Sequence, residues 1–252
     1  MEAIGGGGLF RKPGEIETSP LPRKSGAIKE LIVAAGRGGA SIQNILALAS
    51  RKAIPVVFKD RPYLDNMAGC KSHQGIVALC EAYAYAEVDD VIDNRPRSNN
   101  SLVLVLDGVT DPQNLGALIR TAHCLGVNGI IIPENRAAAV TAAVIKASAG
   151  AANRTPVAQV VNLSRTIEYL QERGFWIYGA DADGGADIER FDDDGPVALV
   201  MGSEGKGLSP LVRKKCDFLL CIPMVGVVGS LNVSVAAGII LYEILKKQGR
   251  RK

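Results

Sequence analysis

The chain has 252 residues, 47% hydrophobic and 22% charged, a composition that fills a core and excludes global disorder. Its 29 Lys and Arg against 26 Asp and Glu leave +3, a bias that permits nucleic acid as a partner without arguing for it. Five cysteines with no CxxC pair, and only His73 and His123 as histidines, set aside a disulfide framework and a zinc site and fit reduced thiols in the cytoplasm.

Residues 1–26 read as a flexible leader: four consecutive glycines (Gly5–Gly8), three prolines and scattered basic residues resist packing. Glycines stand where a secretory signal needs an apolar core, and no apolar run is long enough to span a bilayer, so no membrane association is expected. Residues 27–83 read as a small α/β unit. Glu30–Ala35 is a predicted strand. Ser41 is placed to cap a helix with Ile42, Ile45, Leu46 and Ala49 on one face. A strand at Ile54–Phe58, a short helix through Tyr63, Leu64 and Met67 that stops at Gly69, and a strand at Ile76–Cys80 complete the unit. Residues 84–100, with Pro96 and three asparagines, read as a linker.

From 101 to 252 strands alternate with helices. The predicted strands are Leu102–Leu106, Gly129–Ile132, Val157–Val161, Trp176–Gly179, Val197–Met201 and Phe218–Ile222. Apolar β-branched strands alternating with helices such as Leu163–Arg173 predict a parallel sheet covered on both faces. Asp181, Asp183, Asp187 and Asp192–Asp194 lack the spacing of a calcium loop and read as solvated loop charge, so no metal is expected.

Three segments of this second domain place single polar residues and glycines where a strand gives way to a helix. The first runs Leu106–Val127, with Asn114, Gly116 and Arg120; a fixed cation at such a turn is where a ligand site of an α/β domain is expected. In the second, Leu199–Val212, the glycine spacing Gly202–Gly207 mimics a phosphate loop, but Leu208 follows where Lys is required. The third, Ile222–Gly238, has Gly226 and Gly229 for tight turns and either Ser230 or Asn232 to cap a helix. No Rossmann fingerprint is present, which removes the nicotinamide-dependent oxidoreductase reading.

In order and wording, NLGALIRTA (Asn114–Ala122), MGSEGKGLS (Met201–Ser209) and IPMVGVVGSLNVSVAAG (Ile222–Gly238) resemble the three motifs of the SpoU branch of the SPOUT RNA ribose 2′-O-methyltransferases. The likeness extends over residues 102–247. KASAGA (Lys146–Ala151) and YLDNMAGCKSHQGIVA (Tyr63–Ala78) look most like the bacterial 23S rRNA guanosine 2′-O-methyltransferase subgroup. The resemblance implies an α/β SPOUT domain with a parallel sheet and a C-terminal deep trefoil knot, an exception to unknotted topology. It also implies a small RNA-binding domain ahead of it, a homodimer, and S-adenosyl-L-methionine as cofactor. By matching positions, Gly202, Ile222, Met224 and Leu231 would hold the cofactor. Arg120, Asn114, Glu204, Ser230 and Asn232 would form the catalytic cluster, Ser230 and Asn232 orienting the ribose and Glu204 positioning Arg120 or Asn114. Arg120 would act as base or as electrostatic clamp; neutral guanidine is scarce near neutral pH, which favours the clamp. RNA is the implied partner, rRNA first and tRNA second, with a non-catalytic RNA-binding protein of the same fold as the rival. Phosphate contacts would come from Arg37, Arg51, Lys52, Lys59, Arg61 and Lys71; His73 and Gln74 are either base contacts or loop structure. The leader departs from the usual family start, which leaves the first helix of that domain open.

Overall fold

Two sheets organise the chain, and each forms where β-branched runs are bounded by turn residues. The computed structural model describes residues 28–69, 71, 73–93, 101–182, 184–188, 195–227 and 229–249; the leader, residues 94–100 and the acids Asp183 and Asp192–Asp194 lie outside them. The smaller sheet has β1 (Ile28–Ala34) at its centre, β2 (Val56–Lys59) parallel on one side and β3 (Ile76–Cys80) antiparallel on the other. α1 (Ala40–Arg51) begins one residue before Ser41, so Ser41 is not its cap; Gly39, at φ 129°, takes the cap position without a side-chain bond. In α2 (Arg61–Ala68) the Asp60 carboxylate accepts from Tyr63 N at 3.2 Å, Pro62 occupies the first turn, and left-handed Gly69 ends the helix. Ile32, Ala34 and Leu64 form the small core.

The first half of the segment expected to be a linker is ordered against the larger sheet, together with the residue before it. Tyr83 Oη donates to Ala152 O, Val140 N donates to Tyr85 Oη, and Ala86 N donates to Val157 O, each at 2.9 Å. α3 (Val88–Asp93) then buries Val91 and Ile92 completely. Its polar residues mask a short helical spacing of apolar ones, Val88, Val91 and Ile92, which is why composition alone reads it as a joint. Gly129 makes room for it: a Cβ there would meet Val91 Cγ1 at 2.8 Å.

The larger sheet has seven strands in the order β6-β5-β4-β9-β7-β10-β8. They are β4 (Leu102–Asp107), β5 (Gly129–Pro133), β6 (Val157–Val160), β7 (Trp176–Ala180), β8 (Ala186–Asp187), β9 (Val197–Gly202) and β10 (Phe218–Cys221), and every pairing is parallel. Central β4 and β9 are apolar and buried on both faces, as a sheet sandwiched by helices requires. Leu102, Leu104 and Leu106 pack in one core with residues of α4 (Pro112–Cys124) and α8 (Val233–Lys247). Val103 and Val105 pack in the other with α3, α6 (Leu163–Glu172) and α7 (Pro210–Lys215). The short helix α5 (Ala142–Ala147), not anticipated from sequence, lies so close to α4 that a Cβ on Gly116 would strike Ala147. From β4 the chain turns first to β5 and β6 and later returns to β9 on the opposite side, so the strand order reverses at β4.

Candidate active site

The parallel strands end together at one edge, and the three polar segments converge there. After β4, Asp111 caps α4, accepting from Gln113 N and Asn114 N at 3.2 Å each, which sets Asn114 in the first turn. β9 ends beside β4, with Asp107 in register with Gly202. The chain then folds into a tight loop closed by Ser203 N donating to Gly207 O at 3.0 Å and Gly207 N donating to Ser203 O at 2.9 Å. Gly202 is dictated by that loop: the space of a Cβ is filled by the backbone of Gly207 and Leu208. The loop carries Glu204, and Asp107 Oδ2 anchors its far side by accepting from Ser209 N at 2.7 Å. β10 leads through residues 222–231 to α8, capped by Asn232.

Asn114, Glu204 and Asn232 form one hydrogen-bonded cluster. Asn232 Nδ2 donates to Asn114 Oδ1 at 3.0 Å and to Glu204 Oε1 at 2.8 Å, and Asn114 Nδ2 donates to the same Glu204 oxygen at 2.8 Å. Asn232 Oδ1 accepts from Ser234 N at 3.0 Å and from Ser234 Oγ at 2.5 Å. The side chain of Asn232 is therefore saturated: both amide hydrogens are donated and both oxygen lone pairs are used. In this arrangement its bonds are all made within the protein, whereas the resemblance implied that it orients a ribose. Glu204 Oε2, one amide hydrogen of Asn114 and one lone pair of its oxygen keep free capacity. Ser234, which the sequence alone did not single out, fixes which way the Asn232 amide faces. An Asn-x-Ser at a helix start is the signal that could have shown it.

The other candidates make no hydrogen bond to this cluster among the described residues, and their exposure differs. Arg120 is exposed on α4, about 9 Å along the axis from Asn114 at 1.5 Å per residue, and makes no hydrogen bond or ion pair among the described residues. Glu204 is hydrogen-bonded to Asn114 and Asn232, with no bond to Arg120 among the described residues. Ser230 is exposed just before the α8 cap. Ile222 is half-buried at the exit of β10, Met224 and Leu231 are each 39% exposed, and Val225 and Val227 stand fully in solvent. At Cys216, on the way into β10, burial and the neighbouring Asp217 push the thiol up to about 12, and it donates to Val212 O at 3.4 Å. Beside the cluster Val235, Ile239 and Tyr242 of α8 are exposed and, with Thr121 and Gly238, line a shallow groove of about 500 Å³. Among the described residues no cluster of metal ligands occurs and no helix is long and apolar enough to cross a membrane.

Residues 101–242 match the SpoU rRNA Methylase family and residues 21–86 match the RNA 2′-O ribose methyltransferase substrate binding family. A Putative TrmH family tRNA/rRNA methyltransferase, YacO, of Bacillus subtilis is 44% identical over 241 residues, 95% of each chain. Another from Staphylococcus haemolyticus is 46% identical over 208 residues, covering 82% of this chain and 83% of its own. An rRNA methyltransferase of Sinorhizobium meliloti, solved with AdoMet bound, superposes with a TM-score of 0.72 at 26% identity, over 88% of this chain and 80% of that one. The SpoU methyltransferase AviRb of Streptomyces viridochromogenes shares the fold at a TM-score of 0.72 and 24% identity, over 90% and 85%.

Proposed function

The chain belongs to the SpoU rRNA methylase family of RNA methyltransferases, and from that premise we propose that it methylates a ribose 2′-hydroxyl of RNA, a guanosine of 23S rRNA, using S-adenosylmethionine. The observation that carries the reading is the Asn114–Glu204–Asn232 cluster, built from segments 90 and 118 residues distant along the chain and aimed at one sheet edge. A structural role alone does not call for a carboxylate with one oxygen held by two amides and the other free.

The residues at this edge fit the cofactor. An adenosine with a sulfonium arm needs apolar contact, backbone hydrogen-bonding groups and no opposing cation. Met224 and Leu231 supply exposed apolar surface and Ile222 a half-buried side chain at the exit of β10, and residues 204–207 of the turn that follows Gly202 are exposed. When bound, the cofactor supplies an activated methyl group. This chain then has to place a ribose oxygen in line with that methyl and lower the cost of losing the hydroxyl proton. Asn114 and Glu204 Oε2, the members with free capacity, hold the ribose, and Asn232 keeps both in register. Arg120 grips the adjacent phosphate and stabilises negative charge developing on the oxygen; the proton leaves to solvent at this exposed edge. Ser230 lines the approach.

The small unit, residues 27–83, holds the RNA, and residues 101–252 carry the chemistry, with the C-terminal trefoil knot of the family. The exposed Val235, Ile239 and Tyr242 on α8 support a homodimer, since apolar side chains at that spacing form one stripe. The test is incubation of ribosomal RNA and tRNA with labelled cofactor followed by nucleoside analysis. Label in 2′-O-methylguanosine of the large rRNA is expected; label confined to tRNA redirects the substrate, and binding without transfer supports the non-catalytic rival.

A further inference from the structure

Away from the catalytic edge, one end of the small sheet is shaped in a way its own packing does not need. β1 and β2 run parallel and end there, while antiparallel β3 begins there; Ala35 N donates to Lys59 O at 2.8 Å and Ala34 N to Gly75 O at 2.9 Å. Three chain segments, 35–39, 59–63 and 73–75, thus share one rim. At its centre Gln74 is exposed and held at φ +54°, a left-handed backbone that few non-glycine residues adopt. Left-handed Gly75 follows it.

A dedicated clamp holds Gln74 in that shape. The His73 side chain is only 4% exposed, and its Nε2 meets Asp65 Oδ1 at 2.6 Å. Its Nδ1 accepts from Gly75 N at 3.0 Å, which fixes the proton on Nε2, and Ile76 N donates to His73 O at 3.1 Å. His73 is therefore loop structure and not a base contact, and what it builds is an outward-pointing Gln74. Along the rim stand exposed cationic and aromatic side chains. Arg37 lies along Gly75, 3.3 Å from where a Cβ would stand; Lys59 Nζ sits 5.4 Å from the centroid of the Tyr63 ring; Arg61 and Tyr63 are exposed on α2. Asp60 is taken up in capping α2, and Asp65 in holding His73.

Resting on the RNA-methyltransferase reading, we propose that this rim is the RNA-reading site of the small unit and that Gln74 contacts an unstacked base. Tyr63 offers a stacking face, and Arg37, Lys59 and Arg61 hold the flanking phosphates. An amide that both donates and accepts, an aromatic face and a row of cations are the chemistry that recognises loop or single-stranded RNA. The strained backbone is stored where the contact is made.

The test uses the full-length protein, deproteinised ribosomal RNA and labelled S-adenosylmethionine, with a filter-binding titration of the same RNA run without cofactor. Gln74→Ala and Gln74→Gly, the second relieving the backbone strain, are each expected to raise the RNA KM and Kd at least fivefold while kcat stays within twofold. Arg37→Ala is expected to lower the slope of log Kd against log salt by about one. Unchanged RNA Kd and KM in both Gln74 variants overturns the proposal. Absence of methyl transfer by the wild-type protein overturns the enzymatic reading instead and leaves the binding titration to judge the rim.

Discussion

Replacing Asn232 with Asp isolates what the asparagine does. The cap of α8 survives, because a carboxylate oxygen still accepts from Ser234 N and an anion suits a helix N-terminus. What changes is the other end of the side chain: two donations, to Asn114 Oδ1 and Glu204 Oε1, become an oxygen facing a carboxylate that now stands 2.8 Å from the amide nitrogen. Each donated bond contributes about 1 kcal/mol, more toward a charge. The new carboxylate pair adds about 1 kcal/mol of repulsion in a water-like dielectric. Together these misplace Asn114 and Glu204 by an amount on the order of 2–3 kcal/mol, about 30- to 150-fold in rate. Methyl transfer by Asn232→Asp should therefore fall by that factor, and Tm by about 4–12 °C if the same energy is lost to folding. Two facing carboxylates share a proton at low pH, so the variant's activity relative to wild type should rise as pH drops from 8 to 5.5. Single-turnover transfer assays across that range, with thermal melts alongside, make the measurement. Turnover within twofold of wild type, or a relative activity flat with pH, refutes the network as the catalytic element.

Gly202→Ala should abolish cofactor binding by titration calorimetry and lower Tm, because its Cβ space is occupied by backbone and overpacking costs about 1–3 kcal/mol or more. Gly205→Ala, with open space around it at φ 78°, should fold with a loss of only about 1 kcal/mol by urea melts. Gly116→Ala should destabilise through the α4–α5 contact, and adding Ala147→Gly should restore part of the lost Tm by removing the side-chain half of the clash. His123 is partly buried, donating to or accepting from Thr155 Oγ1 at 3.0 Å, and burial with the neighbouring Arg154 lowers its pKa below the usual 6.5. A folded pKa below the unfolded one means that the unfolded chain binds the proton first. Its stabilising contribution is thus full above 6.5 and is lost as pH falls through the folded value. Melts of His123→Gln should accordingly show a shallower drop in Tm between pH 7 and 5 than wild type. A steeper one contradicts the assignment.

The large sheet is legible in the sequence because each strand is a short apolar run between turn residues, and the six strands read that way stand within a residue or two of where the structure puts them. β8 is two residues long and carries no periodicity to read. α3 and α5 escape a sequence reading because six-residue helices offer too few turns for an apolar stripe to show, and their register is set by the surfaces they meet: Gly129 for α3, Gly116 for α5. The three segments that meet at the sheet edge are legible in the sequence, but not how their side chains pair. That Asn232 is saturated, that Ser234 turns its amide, and that Glu204 faces the two asparagines instead of Arg120 all depend on distances between segments with no sequence proximity. The polar composition of residues 84–100 conceals the part played by Tyr85 and by Tyr83 just ahead of it, whose hydroxyls tie that stretch to the α5 region through partners far along the chain.

Whether this edge moves a methyl group to a ribose oxygen is tested most directly on ribosomal RNA treated with the protein and isotope-labelled S-adenosylmethionine, digested to nucleosides and resolved by mass spectrometry. The label is predicted on the ribose, released with the sugar fragment. Label on the base, or RNA bound tightly with no label transferred under conditions where the cofactor is bound, contradicts it.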